Sequence, residues 1–167
     1  MSRGRVAYIF TDGASRGNPG PGSYGVWVNE LGRSSYGFGS FLGDNVTNNV
    51  AEYQGALRGL EEARSLLERA DDIDCVCLCS DSELLVKQLT GVYAVRSPQL
   101  IPWHTRSRAI LDECKAIDIV HVRRAANALA DAMANRALNC REHIYVDALS
   151  TPTPTPTPIE RKKRVRS

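Results

Sequence analysis

The sequence predicts an α/β fold: a five-stranded mixed sheet with helices on both faces. Three observations carry that expectation. Three strand-like segments follow one another at the amino end, helical spacing takes over from Asn49, and helix and strand alternate from there onward. The opening strands are "RVAYIF", which runs into Asp12, then "SYGVWVN" and "SSYGFGSFLG", with turn residues Leu31, Gly32 and Arg33 between the last two. They read as a three-strand antiparallel meander. From Asn49 to Ala70, Val50, Tyr53, Leu57, Leu60, Ala63 and Leu67 recur every three or four residues, which predicts the longest helix. A short strand over Cys75 to Cys79 feeds a helix in "SDSELLVKQLTG", closed by Gly91. A further helix is expected from about Gln99 to Cys114, after the Ser97-Pro98 break. "AIDIVHV" is the fifth strand, and a last helix starts near Asn127 and continues through "ALADAMANRAL". The fourth and fifth strands, each reached through a helix, are expected to lie parallel in the sheet.

Composition bounds what such a chain can be. With 167 residues and 43% hydrophobic content it can bury one sizeable core, so residues 1 to 150 are read as a single domain. No apolar run is long enough to span a bilayer, and the amino terminus goes directly into strand-like sequence, so a soluble, cytoplasmic monomer is expected. Cys75, Cys77 and Cys79 alternate along one strand, where neighbours on one face cannot easily pair. Reduced, buried thiols are the expectation, and a metal knuckle is set aside for want of the usual two-residue spacer and a nearby histidine pair. The net charge of +2 hides an asymmetry. Residues 151 to 167 hold five cations against Glu160, so the preceding body carries −2 and any polyanion it binds must be held locally, through bridging cations, or by the tail. "TPTPTPTP", residues 151 to 158, is expected to form an extended spacer of about 25 Å, from which the basic tail hangs.

Four carboxylates stand where strands end or helices begin: Asp12, Glu52, Asp81 and Asp131. Sheets of this kind gather such positions at one rim. Each acid, or a residue beside it, also has an ordinary role open to it. Asn49 and Glu52 make a capping pair, Asp81 and Ser82 can cap one helix, and Asn127 can cap another. As a set they are harder to explain so, because carboxylates about 4 Å apart repel by roughly 4 kcal/mol, while a cap contributes about 1 kcal/mol. Convergence would require a compensating cation, and clustered oxygens suit hard ions such as Mg²⁺ or Mn²⁺.

The motifs "FTDGASRGNPGPGSYG", "TNNVAEYQGALRGL", "LCSDSELLVKQLTG" and "NALADAMANRAL", in this order and spacing, resemble type 1 ribonuclease H over residues 5 to 140. The likeness is to the short-loop form found in bacteria and archaea, which lacks a basic protrusion. It implies the ribonuclease H fold and an endonuclease that hydrolyses the RNA strand of RNA/DNA hybrids, leaving 5′-phosphate and 3′-hydroxyl ends. It also implies that Asp12, Glu52, Asp81 and Asp131 bind two Mg²⁺ ions, with Mn²⁺ as a possible substitute. For substrate contact it points to Gly13, Ser15, Asn18, Asn48 and Asn49, and to Thr47 for a DNA phosphate. Gln54 and Glu83 are weaker candidates, and a cap role stays open for Asn49.

Two departures stand out. Many members of that family carry a loop histidine ahead of the last aspartate, whereas this chain reads "HVRRAANALAD". His121 comes too early and reads as a packed or edge residue. Arg124 matches the arginine of short-loop relatives, and that resemblance implies a group that positions scissile phosphate or assists product release by its charge, although it cannot accept a proton near neutral pH. The segment "TGVYAVRSPQLIPWHTRSRAIL" lacks a lysine-rich protrusion, leaving Arg96, Arg106 and Arg108 as limited replacements and Trp103 as core or contact. The basic tail is therefore a candidate for phosphate contacts, its other reading being a solubilising end or the stub of a linker. An inert hybrid-binding module is argued against by the four filled acidic positions. Proofreading exonucleases are argued against by Ala14, where they carry a second acid, and transposases and integrases by the final aspartate in place of glutamate.

Overall fold

The computed structural model describes residues 4–147. These form one mixed sheet in the order β5-β4-β1-β2-β3-β6. The strands are β1 (Arg5–Ser15), β2 (Gly20–Glu30), β3 (Ser35–Val46), β4 (Ile73–Ser80), β5 (Ile117–His121) and β6 (Ile144–Asp147), and the helices are α1 (Asn48–Arg69), α2 (Glu83–Leu89), α3 (Ile101–Glu113) and α4 (Ala128–Cys140). As expected, β1, β2 and β3 pair antiparallel, and β4 and β5 extend the sheet in parallel from β1. The sheet has six strands rather than five. β6 adds antiparallel to the free edge of β3, matching Tyr36 to Asp147 and Gly39 to Ile144. Its sequence does not announce it, because four residues with alternate exposure carry almost no burial signal.

β1 is central and buried on both faces, which explains its unbroken apolar run. Ala7 and Ile9 join Val26, Val28, Val76, Leu78 and Ile119 on the face covered by α1, with α2 and α3 beside it. Tyr8 and Phe10 join Trp27, Cys77, Cys79 and Val120 on the face covered by α4 through Ala130 and Met133. Leu60 and Leu66 of α1 are fully buried against the first face, and a core leucine of this kind contributes about 1.5–3 kcal/mol. α4 lies very close to the other face: a Cβ on Gly25 would come within 2.1 Å of Ala130 O. Spacer and tail, residues 151 to 167, lie outside the described residues, as does the end of the domain expected at 150.

Gly25→Val should therefore push α4 off the sheet and cost about 1–3 kcal/mol or more, read as a lower urea midpoint in equilibrium unfolding.

Candidate active site

Asp12 does not end its strand, contrary to the sequence reading; β1 continues to Ser15, pairing Asp12 with Gly25 and Ser15 with Gly22 of β2. What ends there is the parallel ladder to β4, whose last pair is Thr11 with Ser80. Asp12 is the first β1 residue beyond that ladder, and Asp81 is the first residue beyond β4. The two acids thus leave adjacent strands at the same level.

The capping alternatives resolve in favour of hydroxyls. Thr47, not Asn49, is the N-cap of α1, and its Oγ1 accepts from Val50 N at 3.2 Å. The helix begins at Asn48, which places Glu52 just past its first turn and leaves its carboxylate out of any cap. Ser82 caps α2 by accepting from Leu85 N at 3.2 Å, so Asp81 is not needed there. Asn127 sits at the head of α4 but makes no side-chain cap; it is fully buried and donates from Nδ2 to Thr11 O at 2.9 Å. That bond ties the turn of 3-10 helix over Arg124–Asn127, and with it Asp131 in the first turn of α4, to the strand that carries Asp12.

α1 reaches the strand because residue 13 is glycine. A Cβ there would lie 2.3 Å from Glu52 N. The result is a cluster in which carboxylate oxygens of Asp12, Glu52 and Asp81 all lie within 4.8 Å of one another. Asp131 stands at the exposed lip, near enough for its carboxyl to share a hydrogen bond with that of Asp12, and it accepts from Asn135 Nδ2 at 3.2 Å. These four acids, with Gly13, Asn48, Asn49, Ser82 and Arg124, line an open cleft of about 470 Å³.

Burial pushes the Asp12 carboxyl up to about 10, helped by the charges of Glu52 and Asp81. Burial and the charge of Asp81 raise Glu52 as well, while Arg124 pulls it back. Glu52 Oε2 is buried without a hydrogen-bond partner. Converging oxygens, repulsion that lifts their proton affinities and an orphaned acceptor in the same cleft fit a hard divalent cation, which would supply the missing partner and charge.

The remaining sequence candidates divide. Asn48 and Asn49 open onto the cleft. Asn18 stands beside them, its Oδ1 accepting from Asn48 N at 3.0 Å. Ser15 donates its hydroxyl to Val46 O at 2.7 Å, a bond that fastens β1 to the end of β3. Glu83 pairs with Lys87 at 2.6 Å. Arg108 is committed to Asp112 at 2.5 Å and Leu89 O at 2.8 Å, and Arg106 lies over the half-buried Trp103 ring. His121 is an edge residue, as expected, yet its Nε2 lies 3.3 Å from Asp81 O, a link the sequence does not signal. Asn127 is legible in the sequence only as a cap. Its spacing of four before Asp131 is the available clue.

The chain is similar to several known proteins. A family model described as "Reverse transcriptase-like" matches residues 10–137. A ribonuclease HI of Halobacterium salinarum is 41% identical over 140 residues, covering 82% of this chain and 66% of that protein. The bifunctional protein Rv2228c of Mycobacterium tuberculosis is 36% identical over 137 residues, which is 78% of this chain but 35% of that protein. The chain thus spans between about a third and two thirds of these relatives. Among solved structures, RNase H1 of H. salinarum superimposes with a TM-score of 0.69 at 36% identity, covering 81% of this chain and 98% of that one. LC11-RNase H1, solved in complex with an RNA/DNA hybrid, gives 0.72 at 34% identity with the same coverage. The chain belongs to the type 1 ribonuclease H family within the reverse transcriptase-like class.

Because the folded state holds protons on Asp12 and Glu52 that the unfolded chain releases near pH 4, metal-free stability should fall as pH rises from about 5 to 8. Thermal unfolding without metal checks this. Asp12→Asn should flatten the decline and raise metal-free stability at about pH 8 by roughly 1–3 kcal/mol, and Mg²⁺ should raise the wild-type Tm more at pH 8 than at pH 6.

Proposed function

We propose that the chain is an endonuclease that hydrolyses the RNA strand of RNA/DNA hybrids, with two Mg²⁺ ions held by Asp12, Glu52, Asp81 and Asp131. The observation that carries the reading is the convergence of three carboxylates within 4.8 Å, with the fourth at the lip of the same cleft. Binding alone has no use for such repulsion. When bound, a pair of such ions supplies an activated water and neutralises charge on the departing 3′ oxygen, leaving 5′-phosphate and 3′-hydroxyl ends. Mn²⁺, with similar ligand preferences, is expected to substitute.

The chain's own residues position the hybrid. Asn48 and Asn49 face the cleft from the start of α1, where amide groups can reach ribose hydroxyls and minor-groove edges. Asn18 fixes the Asn48 backbone and extends the same surface. Gly13 lines the cleft, where its backbone can meet the hybrid, and Ser15 acts by holding β1 against β3. Thr47 accepts from Val50 N, which leaves its hydroxyl proton for a phosphate oxygen. Arg124 stands on the cleft wall, where a fixed positive charge orients scissile phosphate without taking a proton. The H. salinarum and LC11 proteins bear ribonuclease names, and the hybrid complex of LC11-RNase H1 supports the choice of substrate.

The test is cleavage of an end-labelled RNA/DNA hybrid with Mg²⁺, beside RNA/RNA and DNA/DNA duplexes. Hybrid-specific cutting is expected, and Asp12→Asn should lower it by about 1,000-fold or more while the fold persists. Binding without cutting by the wild type would identify an inert module instead. Arg124→Ala should lower kcat by about 10- to 100-fold, with partial recovery in Arg124→Lys. If the five cations near the carboxyl end neutralise phosphates, deleting residues 151 to 167 should raise KM and flatten the dependence of log KM on log salt by about 0.9 for every phosphate then left without its cation.

A further inference from the structure

Among the described residues a second group of ligand-bearing side chains lies away from the cleft. β4 sets Cys75 and Cys77 on the sheet face that packs toward α4, and β5 places Asp118 in register beside Cys77. The two sulfurs and an Asp118 carboxylate oxygen all lie within 4.8 Å of one another. Cys75 Sγ is 3.7 Å from Asp118 Oδ2. Tetrahedral coordination with metal–sulfur bonds of about 2.3 Å and metal–oxygen bonds of about 2.0–2.2 Å sets sulfur about 3.5–3.7 Å from oxygen and the two sulfurs about 3.8 Å apart. The 3.7 Å between Cys75 Sγ and Asp118 Oδ2 already matches that spacing. Cys77 forms a buried floor, while Cys75 and Asp118 are half-buried at the mouth, so an ion has a path in from solvent.

A disulfide does not compete for these sulfurs. All five cysteines are free, and an extended strand holds residues i and i+2 about 6.6 Å apart with parallel side chains, at the far limit of disulfide geometry. The spacing along β4 alone argues against a metal, as set out above, but the strand does not act alone. The third ligand comes from β5, 41 to 43 residues later, through the parallel pairing.

We propose that Cys75, Cys77 and Asp118 form a site for a thiophilic divalent cation such as Zn²⁺, which clips edge strand β5 to β4. Two S–H groups give their protons to solvent as two metal–sulfur bonds form, the ionised carboxylate adds the third ligand and water the fourth, and no electrons are exchanged. Cys75 lies on β4 six residues before Asp81, which follows the end of that strand, a span of about 20 Å, so the two clusters are separate. Ligand softness sorts them: thiolates select Zn²⁺ or Cd²⁺, whereas the oxygen cluster suits Mg²⁺. The far end of β5 carries His121, whose ring meets Asp81 O, so the clip steadies the strand pair that presents Asp81.

The test uses the full chain in excess Mg²⁺, which occupies the oxygen cluster, titrated with Cd²⁺ while thiolate-to-metal absorption is followed in the ultraviolet. Wild type should saturate at one equivalent, and Cys75→Ser should abolish the signal. Asp118→Asn should weaken binding at least about tenfold, and replacing both Cys114 and Cys140 by serine should leave the signal intact. Zn²⁺ should raise the Tm of wild type but not of Cys75→Ser, with circular dichroism confirming that the variant is folded. Asp118→Asn, at a half-exposed position, decides the matter by affinity if Cys75→Ser fails to fold. Absence of thiolate absorption in wild type, its survival in Cys75→Ser, unchanged affinity in Asp118→Asn, or its disappearance in the Cys114 and Cys140 double variant would each overturn the proposal.

Discussion

Close approach of α1 and α4 to the central strand is the constraint from which the rim of this molecule follows. Without a side chain at position 13, the start of α1 settles onto the chain just past Asp12, and Glu52 arrives there with it. From the opposite face, α4 comes down on Gly25, and the buried Asn127 amide fastens its head to Thr11. Each contact is ordinary packing or a single hydrogen bond. Together they compress negative charge into a space where solvent screens it poorly, and the carboxyl groups respond by holding protons. The apolar layer between the sheet and α1 carries that cost: Ile9, Leu60, Leu66 and Leu78 are buried completely, and a few such residues outweigh a repulsion of several kcal/mol.

Much of the fold is legible in the sequence because its central strands and long helix have strong periodic patterns. The spacing predicts α1 over 49 to 70, and it lies over Asn48–Arg69; the fourth strand, expected over 75 to 79, spans Ile73–Ser80. β6 is not legible, since its position comes from an open ladder on β3 rather than from apolar spacing of its own. The acids of the rim are readable as a set, although Asp12 marks the end of the parallel ladder to β4 rather than the end of its strand. Ser82 is readable as a cap as well, whereas Thr47 is not, since the sequence points to Asn49 for that role. Thr47 and Ser82 take those roles because their short side chains reach amides three residues on, and this leaves Glu52 and Asp81 free to meet.

Links between distant segments are the least visible. His121 reads as a strand residue, and only the parallel pairing of β4 with β5 brings its ring to Asp81 O. Asp118 reads as an isolated acid among apolar neighbours until the same pairing sets it beside Cys77. Arg108 reads as a free cation near a missing protrusion, yet it is held by Asp112 and by the end of α2. Pattern in one segment shows how that segment folds, and only register shows which partner it meets.

Among the described residues the outermost strands of the sheet are also its shortest, five residues in β5 and four in β6. An open ladder invites another chain to dock by main-chain hydrogen bonding, and the invitation weakens as the available length shrinks. β3, with twelve residues, would otherwise have offered a long template for intermolecular stacking, but β6 covers Tyr36 to Gly39 and turns alternate side chains to water. Pairing of β6 thereby shortens the ladder that β3 leaves open to fibril-like growth.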